Sequence, residues 1–259
     1  MVDCIIQARL GSTRLPGKVM MKIDSKKTVL ESMLNQLRYA KLVDRIIVAT
    51  SNKLEDDSIE NFCKGKKIEC FRGSEKDVLD RYYQCAKKYS SSTIVRMPAD
   101  KPLLDPNVVD KVIKEFMNKD YDYITTFLPS TFPSGTEVEI FSFLTLEKTW
   151  KESILPSERE HVTPYIYNNP EKFRIFNFRN EIDLSRYRWA VDEKDDLSFV
   201  KQVISKIEKE PILIEDILEI IKKEPEIFQI NFDVNRNSGN EKSEKEDIEF
   251  LKNREKQSE

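Results

Sequence analysis

The sequence predicts an α/β protein: a three-layer α/β/α sandwich on a mostly parallel, Rossmann-like sheet. Three observations carry that expectation. Short β-rich apolar runs alternate with amphipathic helical stretches from residue 2 to residue 97, the pattern of parallel strands joined by right-handed helical crossovers. The first run passes straight into a segment, Arg9 to Lys18, with two glycines, a proline, two hydroxyls and three cations, as a loop at the carboxyl end of such a strand does. Two later strand candidates end in an aspartate shortly before a helix, at Asp100 and Asp192.

Taken in order, residues 2–6 are a buried strand. Val29, Met33, Leu34 and Leu37 recur at helical spacing, so residues 28–40 are a helix, with Thr28 and Glu31 placed as a capping box. Residues 45–50 are a second strand, 56–64 a second helix, 68–71 a third strand, 76–89 a third helix and 93–97 a fourth strand. The proline-rich stretch from Pro98 then starts a helix at Pro106 with Asp105 as its cap. Beyond it lie strands at 121–127 and 137–141, separated by a proline-bounded loop, and a helix at 144–150. A helix over 157–167 has Ser157 and Glu160 as a second capping box. Strands at 172–178 and 187–191 and helices at 194–207 and 214–223 complete the pattern. Residues 1–232 are expected to be the folded domain, with an acceptor-binding insertion at about 128–170. The lysine- and glutamate-rich residues 233–259 are expected to be disordered or a loose helix, dispensable for chemistry, because they bring too little apolar surface to offset the entropy of ordering.

Composition excludes several classes. The 43 basic and 46 acidic residues nearly cancel, to a net charge of -3, which gives no global attraction to nucleic acid or an anionic membrane. Anion binding must come from local focusing. No apolar run approaches the ~18–20 residues of a membrane span, and the first strand leaves no room for a secretory signal; a cytoplasmic location is expected. Cys4, Cys63, Cys70 and Cys85 form no Cys-x-x-Cys pair and read as small buried hydrophobes in a reducing compartment. His161 is the only histidine, which removes a histidine-rich metal site and weighs against a Ser-His-Asp hydrolase.

The residue types in the first loop suit a triphosphate. Glycines let the backbone approach and aim N–H groups, arginine offers planar bidentate donors, and lysine a point charge. A Walker P-loop is excluded, because five residues separate Gly11 from Gly17 and Val19 follows Lys18 where a hydroxyl is required. The alternative is an ordinary strand-to-helix connection with solvated cations. Asp100 reads either as a magnesium ligand near the phosphates or as a turn-capping aspartate, and Asp192 either as a metal ligand or as a helix cap. Gly135, Glu137 and Glu139 read as an acceptor surface, or as a turn and a solvated strand face. Capping accounts for Ser157 and Glu160, leaving Arg159 and His161 for the acceptor, a partner subunit or a structural role.

The stretch from Arg9 through Gly11-Ser12-Thr13-Arg14-Leu15-Pro16-Gly17 to Lys18 resembles the signature of sugar-activating cytidylyltransferases. These include the synthetases of CMP-Kdo and CMP-sialic acid and a branch named after a spore-coat polysaccharide protein. The stretches Phe71 to Tyr82, Pro156 to Pro164 and Val191-Asp192-Glu193 look most like that last branch, and the similarity runs from about Val2 to about Ile230. The resemblance implies a glycosyltransferase-A or nucleotidyltransferase type of fold, a homodimer, and transfer of CMP from CTP to a small anionic acceptor, a sugar acid, with release of pyrophosphate. It assigns Ala8, Arg9, Leu10, Gly11, Ser12, Arg14 and Lys18 to the nucleotide, with Arg72 and Ser74 at the base. Asp100 and Asp192 would hold Mg2+, and Lys18, Arg14 and Asp100 would act in catalysis. Gly135, Glu137, Glu139, Arg159 and His161 remain as acceptor residues. Ala99 stands where many relatives carry glycine. Alternatives are another nucleotide, a non-sugar acceptor, or a non-catalytic nucleotide-binding module; the paired aspartates argue against the last.

Overall fold

The apolar runs and amphipathic stretches become βα units in the order expected. The computed structural model describes residues 1–234 and 238–258. It runs β1 (Val2–Gln7), α1 (Val29–Leu37), β2 (Arg45–Ser51), α2 (Asp57–Lys66), β3 (Glu69–Gly73), α3 (Val78–Lys88), β4 (Thr93–Pro98), α4 (Pro106–Asn118), β5 (Tyr123–Thr125), β6 (Glu139–Ser142) and α5 (Phe143–Glu152). The chain continues through α6 (Pro156–His161), α7 (Pro164–Tyr167), β7 (Ile175–Asn177), α8 (Lys194–Ile204), α9 (Ile214–Lys223), α10 (Glu226–Gln229) and α11 (Ser238–Ser258). Seven strands form one sheet in the order β3-β2-β1-β4-β6-β5-β7. Among the described residues only β6 runs antiparallel to its neighbours. β1 lies between β2 and β4, parallel to both. The chain thus turns from one side of the sheet to the other at β1, and the carboxyl ends of β1 and β4 frame the crevice where open α/β sheets bind ligands.

Period-2 alternation sorts the strands between two faces. Cys4, Ile6 and Val48 pack with Met33, Leu34 and Leu37 of α1 and with Val109, Val112 and Ile113 of α4. Ile5, Ile47 and Ala49 point the other way, onto Leu79 and Tyr82 of α3 and Ile166 of α7. These helices are the outer layers of a three-layer sandwich, each fully buried large apolar side chain contributing about 1.5–3 kcal/mol. Among the described residues no helix is long and apolar enough to cross a membrane.

Three expectations change in three dimensions, and a fourth, for the tail, resolves to one of its alternatives. Residues 187–191 are not a strand, because the facing segment turns sharply at Gly135 and offers only Ser134 for pairing. Ser134 N–H donates to the Tyr187 carbonyl (2.9 Å), and the Ser134 carbonyl accepts from Trp189 N–H (2.6 Å). Tyr187, Trp189 and Val191 still bury, in a third cluster with α8 and α9. The helix expected over 157–167 breaks into α6 and α7, since Pro164 has no N–H for the preceding turn; the chain swings through Val162 at φ 75°. The Ser157–Glu160 capping box does not form. Pro156 takes the first helical position, and Glu158 reaches back to the N–H groups of Ile154 (2.9 Å) and Leu155 (3.0 Å). Finally, of the two states expected for the charged tail, disordered or loosely helical, Ser238–Ser258 take the helical one as α11, 21 residues long. It is seated by polar contacts that its composition does not announce, as Asp247 accepts from the N–H (2.9 Å) and hydroxyl (2.5 Å) of Ser157.

Gly135 shows how tightly this region is built. Its φ is 100°, and a Cβ placed there would lie 2.4 Å from Ala190 N. Gly135→Ala is expected to lower stability by about 3 kcal/mol, from left-handed strain and forced displacement together. A urea midpoint close to wild type would show that residues 189–190 give way freely.

Candidate active site

The site grows from the loop after β1. Leu10 N–H donates to Asp56 Oδ1 (2.8 Å), while the other carboxylate oxygen accepts from the N–H (3.3 Å) and hydroxyl (2.5 Å) of Ser51. A fully buried acid from the second βα connection therefore anchors the loop. Gly17 adopts φ 73°, and its N–H returns to the Leu10 carbonyl (2.9 Å). That closure turns Lys18 in toward the crevice.

There Lys18 Nζ meets two carboxylates, Asp100 Oδ2 at 2.6 Å and Asp192 Oδ1 at 2.7 Å. Asp100 follows β4 and Asp192 precedes α8, and one backbone bond, Val191 N–H to the Asp100 carbonyl (2.9 Å), joins the two segments. Asp192 also takes Arg14 NH2 (2.8 Å) and Arg188 NH2 (2.7 Å). The capping expected of an acid here falls to Asp196, which accepts from the N–H groups of Asp192 (2.9 Å) and Glu193 (3.0 Å) and holds Arg188. Asp192 is thereby left to face the crevice.

Burial alone would raise the Asp192 carboxyl; the charges of Lys18, Arg14 and Arg188, with the Lys18 hydrogen bond, outweigh it and hold the group below the usual aspartate range. Burial would lower the Lys18 ammonium, yet the two carboxylates raise it above the ordinary lysine value. Both ions are therefore fully charged at neutral pH.

The cleft above them has a volume of about 390 Å³. Arg9, Ser12, Arg14, Lys18, Asp100 and Asp192 line it, with His161 on a second wall. Arg9 reaches Glu160 of α6 (3.3 Å) and the Glu75 carbonyl (3.4 Å). Ala8, Leu10 and Gly11 of the nucleotide candidates, the other acceptor candidates and the two base candidates, Arg72 and Ser74, lie outside the lining. Gly135 packs on the backbone of residues 189–190. Glu137 accepts from Gly135 N–H (2.7 Å) and Lys101 (3.2 Å). Glu139 is buried with Arg96 and accepts from the hydroxyls of Tyr123 (2.7 Å) and Thr163 (2.6 Å). Arg159 is committed to Asp77 and the Trp150 carbonyl. Arg72 holds Asp57, Glu60 and the carbonyls of Ser51 and Lys53, and Ser74 Oγ accepts from Asp77 N–H (3.0 Å). Each of these residues is engaged by a neighbouring segment of the scaffold.

Among the polar lining residues outside the first loop, four were not assigned to the site from the sequence. Gln7 and Arg96 project from β1 and β4, where alternation already marks strand positions, and Arg96 NH2 donates to Gln7 Oε1 (3.1 Å). Glu160 stood as half of a capping box. Ser243 lies in the tail, where no periodic signal exists; its Oγ is 2.7 Å from His161 Nε2.

The donor set fits a hard divalent cation. Asp100 and Asp192 already converge on one positive charge, and Mg2+ is characteristically bound by one or two protein carboxylates with substrate phosphates and water. No cluster of three or more potential metal ligands exists among the described residues, so the protein would supply these two.

Comparison with known proteins identifies the family. A family model described as Cytidylyltransferase matches residues 4–243. The chain is 38% identical over 242 residues to an uncharacterized protein of Methanocaldococcus jannaschii, covering 93% of this chain and 98% of the relative. It is 31% identical to the spore coat polysaccharide biosynthesis protein SpsF of Bacillus subtilis, over 86% and 94% of the two chains. Its structure is similar to that of a cytidylyltransferase from Leptospira borgpetersenii, with TM-score 0.84 and 37% identity over 88% of this chain and 96% of that one.

Proposed function

Because the chain belongs to the cytidylyltransferase family and is a CTP-dependent nucleotidyltransferase, we propose that it activates a sugar acid by transferring CMP from CTP, with Mg2+ held by Asp100 and Asp192. An acceptor hydroxyl oxygen forms a bond to the α-phosphorus, the bond to the β-phosphate oxygen breaks, pyrophosphate leaves, and the hydroxyl proton passes to solvent. One observation carries the reading: Lys18, Asp100 and Asp192, from three segments far apart in sequence, meet within hydrogen-bond distance at the sheet's switch point.

The obstacle is charge, since a triphosphate repels an anionic acceptor. Arg9, Arg14 and Lys18 place three cations along the lining and would neutralise the β- and γ-phosphates as negative charge shifts onto the leaving group. Lys18 now satisfies both aspartates; with CTP and cation present it would exchange them for phosphate oxygens. The cation, when bound, supplies Lewis-acid polarisation and lowers the acceptor hydroxyl's pKa. No covalent enzyme intermediate and no histidine base is needed.

The test measures pyrophosphate release with CTP, Mg2+ and either 3-deoxy-manno-octulosonate or N-acetylneuraminate. Release confined to CTP and dependent on one of these acids is the expected result. Equal release with UTP, or release only with an alditol phosphate, overturns the base or the acceptor assignment respectively.

A further inference from the structure

The wall of the cleft opposite the cationic loop rests on a helix too short to stand alone. α6 is six residues long, well below the ~12–15 at which isolated helices become even marginal, yet it carries Glu160 and His161 into the lining. α11 grips it at both ends. Asp247 takes the Ser157 N–H and hydroxyl at the amino end, where a carboxylate is also favoured by the helix dipole. Four residues earlier on α11, one turn away, Ser243 Oγ meets His161 Nε2 at the carboxyl end (2.7 Å). Ser243 is only 4% exposed, and it lines the same cleft as the aspartate pair.

Two features separate this wall from the phosphate loop. The loop is cationic, whereas here the charged side chains are paired, Glu160 with Arg9 and Arg96 with Glu139, and Gln7, His161 and Ser243 offer neutral hydrogen-bonding groups. Burial also pushes the His161 imidazole below its ordinary value, keeping it neutral near pH 7 and able to donate from one nitrogen while accepting at the other. Neutral paired donors and acceptors match a polyhydroxylated chain better than a further phosphate.

We infer that the C-terminal helix α11 is part of the acceptor site, with Ser243, seated on His161, contacting acceptor hydroxyls. This rests on the proposed sugar-acid reading and deepens it. The segment lies at the far end of the chain from the nucleotide loop, so acceptor choice can vary there while the phosphate machinery stays constant. Asp247 acts only through α6 and is a positioning residue.

The experiment uses the full chain, CTP and whichever of 3-deoxy-manno-octulosonate or N-acetylneuraminate the wild type turns over. Ser243→Ala removes one neutral hydrogen bond and is expected to raise acceptor KM about three- to tenfold, with CTP KM and the CTP-induced rise in Tm unchanged. Ser243→Thr, which restores a hydroxyl, is expected to bring acceptor KM back near wild type; a merely structural serine would not split the two KM values in this way. An acceptor KM that does not move in Ser243→Ala sinks the inference alone, and so does a rise in CTP KM instead. A wild type that releases no pyrophosphate with either acid removes the sugar-acid reading and this inference together.

Discussion

Asp192→Asn is expected to lower cation-dependent pyrophosphate release by about 10²–10³-fold, the scale seen when one preorganised electrostatic partner is removed from a reaction centre. The carboxylate has three cationic partners, Lys18, Arg14 and Arg188, so the neutral amide leaves positive charge uncompensated as well as deleting half of the proposed cation site. Asn is nearly isosteric, and Asp196 continues to cap α8, so the fold should persist with a modest loss of stability. The companion variant Asp196→Asn separates the two roles. Asp196 is fully buried and ties Arg188 and Asn231 to the α8 amino end, so its loss should lower Tm sharply. Turnover near wild type in a folded Asp192→Asn would remove that residue from the reaction centre.

Lys18→Ala should lower turnover by about 10²–10³-fold through the lost phosphate contact, and it should act on stability too. Lys18 is 9% exposed and satisfies Asp100 and Asp192 together. Deleting the central cation leaves two neighbouring carboxylates repelling each other. Removing one partner of a buried pair costs about 3–5 kcal/mol; Arg14 and Arg188 still attend Asp192, so a loss of about 2 kcal/mol is expected here. Mg2+ should restore much of it, because the freed carboxylates are the ligands a divalent cation takes. Thermal melts with EDTA and with Mg2+ read this directly. A variant equally stable in both, and equal to wild type, would mean that the aspartates do not depend on a cation between them.

Much of the candidate site is legible in the sequence. Arg9, Arg14 and Lys18 carry their chemistry in a short contiguous segment, and Gly17 marks the turn that folds it back, so local spacing was enough. Asp100 and Asp192 were legible as acids placed just beyond apolar stretches, although the stretch before Asp192 did not become a strand. The partners of the acceptor candidates were not legible in this way. Gly135, Glu137, Glu139 and Arg159 looked available only because their partners, the 189–190 backbone, Lys101, Arg96 and Asp77, are distant in sequence.

By itself the sequence determined the alternation of strands and helices, the cationic loop and the family, because hydrophobic period, turn chemistry and contiguous motifs are local properties. Tertiary structure alone decided that Lys18 bridges two acids, that Asp56 anchors the loop, and that a tail too polar to form a core reaches the cleft through Ser243 and holds α6 through Asp247. Those outcomes turn on which polar groups find one another after distant segments are packed together, and hydrogen bonds and ion pairs between distant segments leave no periodic trace in a chain.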